Sequence, residues 1–260
     1  MTDVPSVNFD RAAGFYDLTR PVDDTELTQT LDLLHRSLDP SGTTLEIGVG
    51  TGALALPLAE RGWHITGVDI SAAMLSKLVE KVAGAPPIAL VRADATALPF
   101  ADASFGGAYV RHVFHLVPRW RDVVAELCRV TEGSVAIALG TVPGPWHDLW
   151  YAMRAVLGPE ADHVGLDFAA GGDEQLREAL IAQGAVFEEE ATIDHPAHET
   201  VAGFLDAMQG RAPSWTWRVP EETLNAALDV GRRWTVERYG TTDIRLEERV
   251  RQRWWVFEIS

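Results

Sequence analysis

The most informative group of residues for chemistry is a set of three glycines at alternate positions, directly after a short apolar run: Gly48, Gly50 and Gly52. Glycine permits a sharp turn and a close approach of a ligand to the backbone. Helical apolar spacing starts after the third glycine, so the pattern predicts a strand-to-helix turn that presses backbone against a nucleoside-like cofactor. The same residues also fit the dinucleotide pattern G-x-G-x-x-G/A, so the turn alone leaves the cofactor open.

Three carboxylates extend this pattern. Glu46 stands inside the first strand-like run, where a purely structural strand favours an apolar residue. Asp69 ends the second run, where it can accept hydrogen bonds from ribose hydroxyls in either an NAD or an adenosyl enzyme. Asp94 follows the third run, where an acid can accept from an adenine amino group, a feature that dinucleotide folds do not regularly need. Since parallel strands end at one edge of a sheet, we expect these acids to converge there with Arg111 and His112.

Four segments carry a resemblance to a known family: residues 45–52, 68–71, 93–100 and 102–105. In sequence and order they resemble the motifs of class I S-adenosylmethionine-dependent methyltransferases, most of all the small-molecule, UbiE/type 11-like group. Residues 9–21 are similar to the usual N-terminal segment of that group, and the resemblance ends near residue 140. One departure is Gly106, which stands where the family commonly has an acid and leaves the start of the fourth strand in doubt.

The resemblance implies S-adenosyl-L-methionine as the cofactor and in-line transfer of its methyl group, for which the protein needs no covalent catalyst. The cofactor-binding residues that it implies are Tyr16, Arg20, Glu46, Gly48, Gly50, Gly52, Asp69, Ile70, Asp94, Ala95, Arg111 and His112. Tyr16 and Arg20 would close over the cofactor, although ordinary surface packing explains them equally well. Asp69 and Asp94 also have a simpler interpretation as helix-start or cap residues.

The candidates for a general base are the histidines His112, His115 and His147, because an imidazole accepts a proton near neutral pH. Packing or hydrogen bonding is the alternative role for each of them. Four tryptophans of the second half, Trp146, Trp150, Trp215 and Trp217, could wall a pocket for a planar or apolar substrate, or could simply pack between helices. The single Cys128 excludes an intramolecular disulfide, and no metal site is predicted.

The bulk composition restricts the partners. The net charge is −16, with 22 basic against 38 acidic residues, which argues against a nucleic-acid substrate. No run approaches the roughly 18 apolar residues that span a bilayer. The N-terminus lacks a signal-peptide pattern, so we expect a cytoplasmic protein that acts on a small molecule, with a homodimer as an open alternative to a monomer.

Strand-like and helix-like runs alternate through the first half, which predicts a parallel sheet with right-handed crossovers. Together with the resemblance, this gives an α/β, Rossmann-like, doubly wound sheet of seven strands, mostly parallel with the last antiparallel. We expect an N-terminal helical segment (1–40), a cofactor-binding core (41–142), and a remainder (143–260) with helical insertions at about 143–172 and 197–250. The predicted strands lie near 43–48, 64–69, 88–93, 107–111, 134–140, 185–194 and 254–259.

The leading hypothesis is therefore methyl transfer from S-adenosylmethionine to a small organic acceptor, aromatic or apolar. An NAD(P)-binding oxidoreductase is the first alternative, disfavoured by Asp94 and by the absence of a Tyr-x-x-x-Lys pair. A non-catalytic, cofactor-binding scaffold is the second. The sequence indicates neither the acceptor nor whether its attacking atom is O, N, C or S.

Overall fold

A computed structural model describes residues 4–19, 22–82, 84–141, 145–168, 171–197, 199–247 and 249–259. Within these residues a seven-stranded sheet has the order β3-β2-β1-β4-β5-β7-β6. Its strands are β1 (Thr43–Ile47), β2 (His64–Asp69), β3 (Ala89–Arg92), β4 (Phe105–Val110), β5 (Thr131–Thr141), β6 (Val186–Pro196) and β7 (Arg249–Ile259). The pairs among β1 to β5 are parallel, and β7 runs antiparallel to both β5 and β6. The predicted fold class is confirmed.

Helices cover both faces of the sheet. They are α1 (Tyr16–Thr19), α2 (Asp24–Ser37), α3 (Ala55–Glu60), α4 (Ala72–Lys81), α5 (Trp120–Val130), α6 (Pro145–Leu157), α7 (Gly172–Ala182), α8 (Val201–Gln209) and α9 (Glu221–Tyr239). The apolar residues of α2, α3 and α4 join one core cluster with Tyr109 and Trp254, while those of α5 and α7 join another with Trp255 and Phe257. Successive strand residues point to opposite faces, so the adjacent tryptophans of β7 are both buried, one in each core.

The fourth strand begins at Phe105, before the position where Gly106 left its start in doubt. Its register with β5 shifts between Phe105 and Gly107. Opposite this irregularity, Gly133 has a φ of 117°, and a Cβ there would lie 2.5 Å from the carbonyl oxygen of Gly106. The glycines therefore allow the two backbones to approach where the parallel ladder is irregular.

A separate apolar cluster lies in the C-terminal half, where α6 packs against α8 and α9. The last two of these helices lie between β6 and β7, within the region where the sequence predicts an insertion. In the part of the chain that the structure describes, no helix has the length and apolar character needed to cross a bilayer.

We expect Phe257→Ala to lower the free energy of unfolding by about 3–5 kcal/mol, because it leaves a cavity in a packed core. The Phe257 side chain is fully buried and its ring centroid lies 5.4 Å from that of Phe187 on β6. Urea unfolding followed by circular dichroism measures the loss. The control is Val236→Ala on the exposed face of α9, where little change is expected; equal losses in the two variants would contradict the assigned core.

Candidate active site

A cavity of about 410 Å³ opens at the carboxyl ends of β1, β2, β3 and β4. This edge is where the strand order reverses between β1 and β4, the usual place for a ligand in an open α/β sheet. Eleven of the residues singled out from the sequence line it: Tyr16, Glu46, Gly48, Gly50, Asp69, Ile70, Asp94, Ala95, Arg111, His112 and His115. Arg20 lies outside the described residues.

The glycine turn forms one wall of the cavity. Gly48, Gly50 and Gly52 have φ values of 78°, 54° and 82°, a backbone region that favours glycine. A Cβ at Gly48 would lie 2.3 Å from Cγ2 of Val113, and one at Gly52 would lie 2.9 Å from Leu56. The geometry therefore explains these two glycines by backbone conformation and by packing within the protein. Gly52 is not among the residues that line the cavity.

Asp69 joins two turns at this edge. One carboxylate oxygen accepts a hydrogen bond from the backbone N–H of Gly50 at 2.9 Å, and the other accepts from the N–H of Ser71 at 2.8 Å. Burial raises the pKa of Asp69 above its usual value, and these two N–H donors oppose that shift because they stabilise the carboxylate. Since each carboxylate oxygen has a second lone pair, the side chain can still accept from a ligand in the cavity.

Glu46 lies on the floor of the cavity and is only 4% exposed. The Tyr109 hydroxyl donates to its carboxyl group at 2.9 Å. Burial raises the pKa of Glu46 to about 8, and the hydrogen bond from Tyr109 and the charge of Arg111 oppose this rise only in part. The nearby charge of Asp69 raises it further. Glu46 is therefore mostly protonated at neutral pH, unlike an exposed glutamate.

Two other predicted residues have defined partners. Asp94 is exposed, and one of its oxygens accepts hydrogen bonds from the backbone N–H and the hydroxyl of Thr96, each at 2.9 Å. Arg111 forms a hydrogen-bonded ion pair with Glu26 of α2. The other oxygen of Glu26 lies 3.6 Å from Nε2 of His195 on β6. The buried Glu26 carboxylate thus fixes the position of the Arg111 guanidinium group at the cavity.

The histidines after β4 stand together. The ring centroids of His112 and His115 are 6.2 Å apart, and the ring of His115 lies 4.9 Å from that of His163. His112 has a φ of 58°, a left-handed backbone conformation that is uncommon for residues other than glycine. His147 packs against Tyr151 on α6, with ring centroids 4.3 Å apart, and does not line the cavity.

The N-terminal segment covers the cavity, which the sequence indicated only through Tyr16 and Arg20. Ser6, Val7 and Phe9 also line it, as does Asp17 of α1. The Asp17 carboxylate accepts a hydrogen bond from the Thr51 hydroxyl at 2.6 Å and lies 2.7 Å from Nζ of Lys81. The apolar residues of this short segment follow no helix or strand period, so no local signal in the sequence indicates that it covers a cavity.

The four tryptophans lie outside the cavity lining. Trp146 contacts Phe204, with ring centroids 4.9 Å apart, and Trp150 contacts Trp215 at 5.0 Å. These three belong to the separate cluster of α6, α8 and α9. Trp217 lies directly behind the cavity wall, because its ring centroid is 5.1 Å from that of Phe9, which does line the cavity.

The residues present fit an adenosyl cofactor. The backbone of the glycine turn and the strand-end carboxylates Asp69 and Asp94 face a single cavity, as hydroxyl and amino donors of a nucleoside require. Ile70 and Ala95 also line the cavity at this edge and add apolar surface to it. When bound, S-adenosylmethionine supplies an electrophilic methyl group on a positively charged sulfur. The cavity supplies orientation and exclusion of water, which can account for much of such a reaction's acceleration.

Comparisons with known proteins agree with this geometry. Residues 45–138 match the model of a methyltransferase domain. The chain is 31% identical over 165 residues to a demethylmenaquinone methyltransferase of Renibacterium salmoninarum, covering 59% of this chain and 68% of that protein. It is 40% identical over 101 residues to a phosphatidylethanolamine N-methyltransferase of Cereibacter sphaeroides, covering 37% of this chain and 49% of that protein. The chain thus spans about half the length of the second relative.

A solved structure, that of the cyclase SpnF, has a TM-score of 0.57 at 15% identity and covers 99% of this chain and 98% of that one. This likeness concerns the fold alone, but it extends through the C-terminal half, beyond the matched domain. The chain belongs to the class I S-adenosylmethionine-dependent methyltransferases. The expected family and its cofactor are therefore confirmed, while the roles of individual site residues stay predictions.

We expect Gly48→Ala to weaken cofactor binding and to lower the free energy of unfolding by about 1–3 kcal/mol, because it combines a strained φ with a clash. The clash is with Val113, so adding Val113→Ala should restore stability only in part, since the φ of 78° remains. Calorimetric titration and urea unfolding measure the two effects. Gly203→Ala on α8 is the control, because its Cβ would meet only Thr200 at an ordinary 3.5 Å. Full recovery in the double variant would contradict backbone strain as a cause.

Proposed function

We propose that this protein transfers the methyl group of S-adenosylmethionine to a small organic acceptor with an aromatic or apolar body, and that His112 or His115 removes a proton from the acceptor. The observation that carries the proposal is that both histidines share one cavity with the glycine turn and the strand-end carboxylates. A base within the cavity matters when the attacking atom carries a proton, as in a hydroxylated ring.

The apolar side of the cavity supports the nature of the acceptor. Val7 and Phe9 of the N-terminal segment, with Leu116 and Val117 after β4, line the cavity beside the two histidines. An apolar wall with a few convergent polar groups is typical of small-molecule sites. The Renibacterium salmoninarum relative reported above is a demethylmenaquinone methyltransferase, which makes a quinol-like, hydroxylated ring the first acceptor class to test.

The roles assigned to individual residues follow from the same arrangement. We propose that Asp69 accepts from the ribose hydroxyls and Asp94 from the adenine amino group, with Arg111 beside the methionyl end and Tyr16 closing over it. The walls of the acceptor site are then the N-terminal segment and the residues after β4. Trp217 would act on that site through its contact with Phe9, and the other three tryptophans would stabilise the helical cluster in which they pack.

We expect calorimetric titration to give micromolar binding of S-adenosylmethionine and S-adenosylhomocysteine and no binding of NAD. Asp69→Ala should raise the dissociation constant by about 10- to 100-fold, because a hydrogen bond to a charged group contributes about 1.5–3 kcal/mol. Asp229→Ala, at an exposed ion pair of α9, is the matched control and should leave affinity unchanged. Circular dichroism checks that the variants stay folded. Binding of NAD alone would overturn the assignment in favour of an oxidoreductase.

We expect a panel of hydroxylated benzene and naphthalene acceptors, including short-chain demethylmenaquinol, to contain at least one substrate for labelled methyl transfer. Replacing the acting base, His112→Ala or His115→Ala, should lower kcat by about 10²–10⁴-fold with little change in cofactor affinity. The control is His64→Ala, at the exposed start of β2 and the opposite edge of the sheet. Undiminished kcat in both cavity variants would reject a histidine base, and inactivity on every acceptor despite cofactor binding would favour the scaffold hypothesis.

A further inference from the structure

Among the residues that the structure describes, no cation is hydrogen-bonded to the buried carboxyl group of Glu46, although an ionised carboxylate needs such a partner in this position. Its side chain is 4% exposed, at the end of β1 and on the floor of the cavity. It accepts a hydrogen bond from the neutral hydroxyl of Tyr109 on β4 at 2.9 Å. The positive charge of Arg111 acts on Glu46 only through space, because that guanidinium is paired with Glu26.

The surroundings of Glu46 favour its neutral form. A buried carboxylate without a paired cation loses hydration that one hydroxyl does not replace, so the group keeps its proton instead. On β2, the neighbouring strand, Asp69 adds negative charge and pushes in the same direction. The other titratable groups that line the cavity are Tyr16 and Asp17 of α1, Asp94 after β3, and His112 and His115 after β4.

We propose that Glu46 is a neutral carboxylic acid in the ligand-free protein, that it gives its proton to solvent when the sulfonium cofactor binds, and that it takes a proton back once the sulfur has become a neutral thioether. Before methyl transfer the ionised Glu46 balances the positive sulfur, and after it a neutral Glu46 faces a neutral sulfur. This inference depends on the S-adenosylmethionine site and not on the identity of the acceptor.

The physical reason is the fixed charge that enters the cavity. An opposite charge nearby in a site of low dielectric favours the ionised form of a carboxyl group. Glu46 would therefore distinguish cofactor from product by charge rather than by shape, since the two ligands differ by one methyl group and one positive charge. Re-protonation removes that attraction once the methyl group has left, which favours exchange of product for fresh cofactor.

The test is calorimetric titration at pH 7 in two buffers that differ in ionisation enthalpy, which counts the protons released on binding. With a pKa of about 8, Glu46 should release about 0.9 proton per S-adenosylmethionine bound and almost none per S-adenosylhomocysteine. Glu46→Gln should reduce the release with S-adenosylmethionine to near zero. Glu132→Gln, at an exposed position of β5, is the control and should release as many protons as the wild type.

Binding of S-adenosylmethionine to the wild type without proton release would overturn the proposal. So would an unchanged release in Glu46→Gln, because the proton would then come from another group such as Asp69. The infrared band of a protonated carboxyl, lost when S-adenosylmethionine is added to the wild type, tests the proposal without any variant; a band that persists contradicts it. Failure of the wild type to bind either adenosyl ligand would instead overturn the cofactor assignment.

The pH dependence supplies independent readouts. Between pH 6 and 8 the affinity for S-adenosylmethionine should rise by up to about tenfold per pH unit relative to that for S-adenosylhomocysteine, and Glu46→Gln should flatten this difference. In the ligand-free protein the contribution of Glu46 to stability is complete below its unfolded pKa of 4.5 and is lost as the pH rises toward 8. Glu46→Gln should therefore resist urea better than the wild type at pH 8. A wild-type affinity ratio independent of pH would contradict the proposal.

Discussion

The pair of hydrogen bonds that Asp69 accepts from backbone amides holds the site together. The amide of Gly50 can point at the carboxylate because that residue adopts a positive φ, and the amide of Ser71 reaches it from the other side. Ser71 is itself fully buried: its hydroxyl accepts from the amide of Met74 at the start of α4 and donates to Asp10. One unbroken series of hydrogen bonds thus runs from the glycine turn to the segment that covers the cavity.

The acids that meet at this edge differ in burial, which raises the pKa of Glu46 and of Asp69. Asp94 is exposed, Asp69 is half-buried with two amide donors, and Glu46 is buried beside a phenol. Residues of the same chemical type therefore differ in what they offer a ligand: the outer acids present hydrogen-bond acceptors at the cavity, and burial favours the neutral form of the inner one. The fold produces this gradient because a strand that ends between two others is more enclosed than the loop after a strand near the sheet margin.

The sequence predicted the sheet and the glycine turn because both have a strong local signal. Apolar runs that end in glycine or aspartate mark the strands, and the observed bounds of β1 and β2 lie within a residue of those predicted. The partners of Arg111 had no such signal, since Glu26 is 85 residues away and His195 belongs to a different part of the sheet. Pairings of that kind depend on tertiary topology, which a single sequence with only local periodicity does not reveal.

The tryptophans also show that a single sequence does not reveal which residues pack against each other across the fold. The spacing of Trp146 and Trp150 put both on one face of a helix, but a pocket wall and a packed interface need the same apolar face. The residues that cover that face are Phe204 and Trp215, which lie far along the chain and which the spacing of the two tryptophans does not indicate. The covering role of Phe9 was also not predicted, because the apolar residues of the N-terminal segment follow no regular helix or strand period.

The apolar cluster of α6, α8 and α9 has a consequence for how this protein can change over evolution. Since these helices bury one another's side chains, substitutions among them can accumulate without disturbing either face of the sheet. One connection to the cavity runs through Trp217, whose indole N–H donates to the carbonyl of Arg211 and whose ring contacts that of Phe9. Another runs through the segment after α6, where the ring of His163 lies 4.9 Å from that of His115. Substitutions in these helices could thus alter the acceptor that a descendant of this chain uses. The glycine turn and the strand-end carboxylates would stay unchanged.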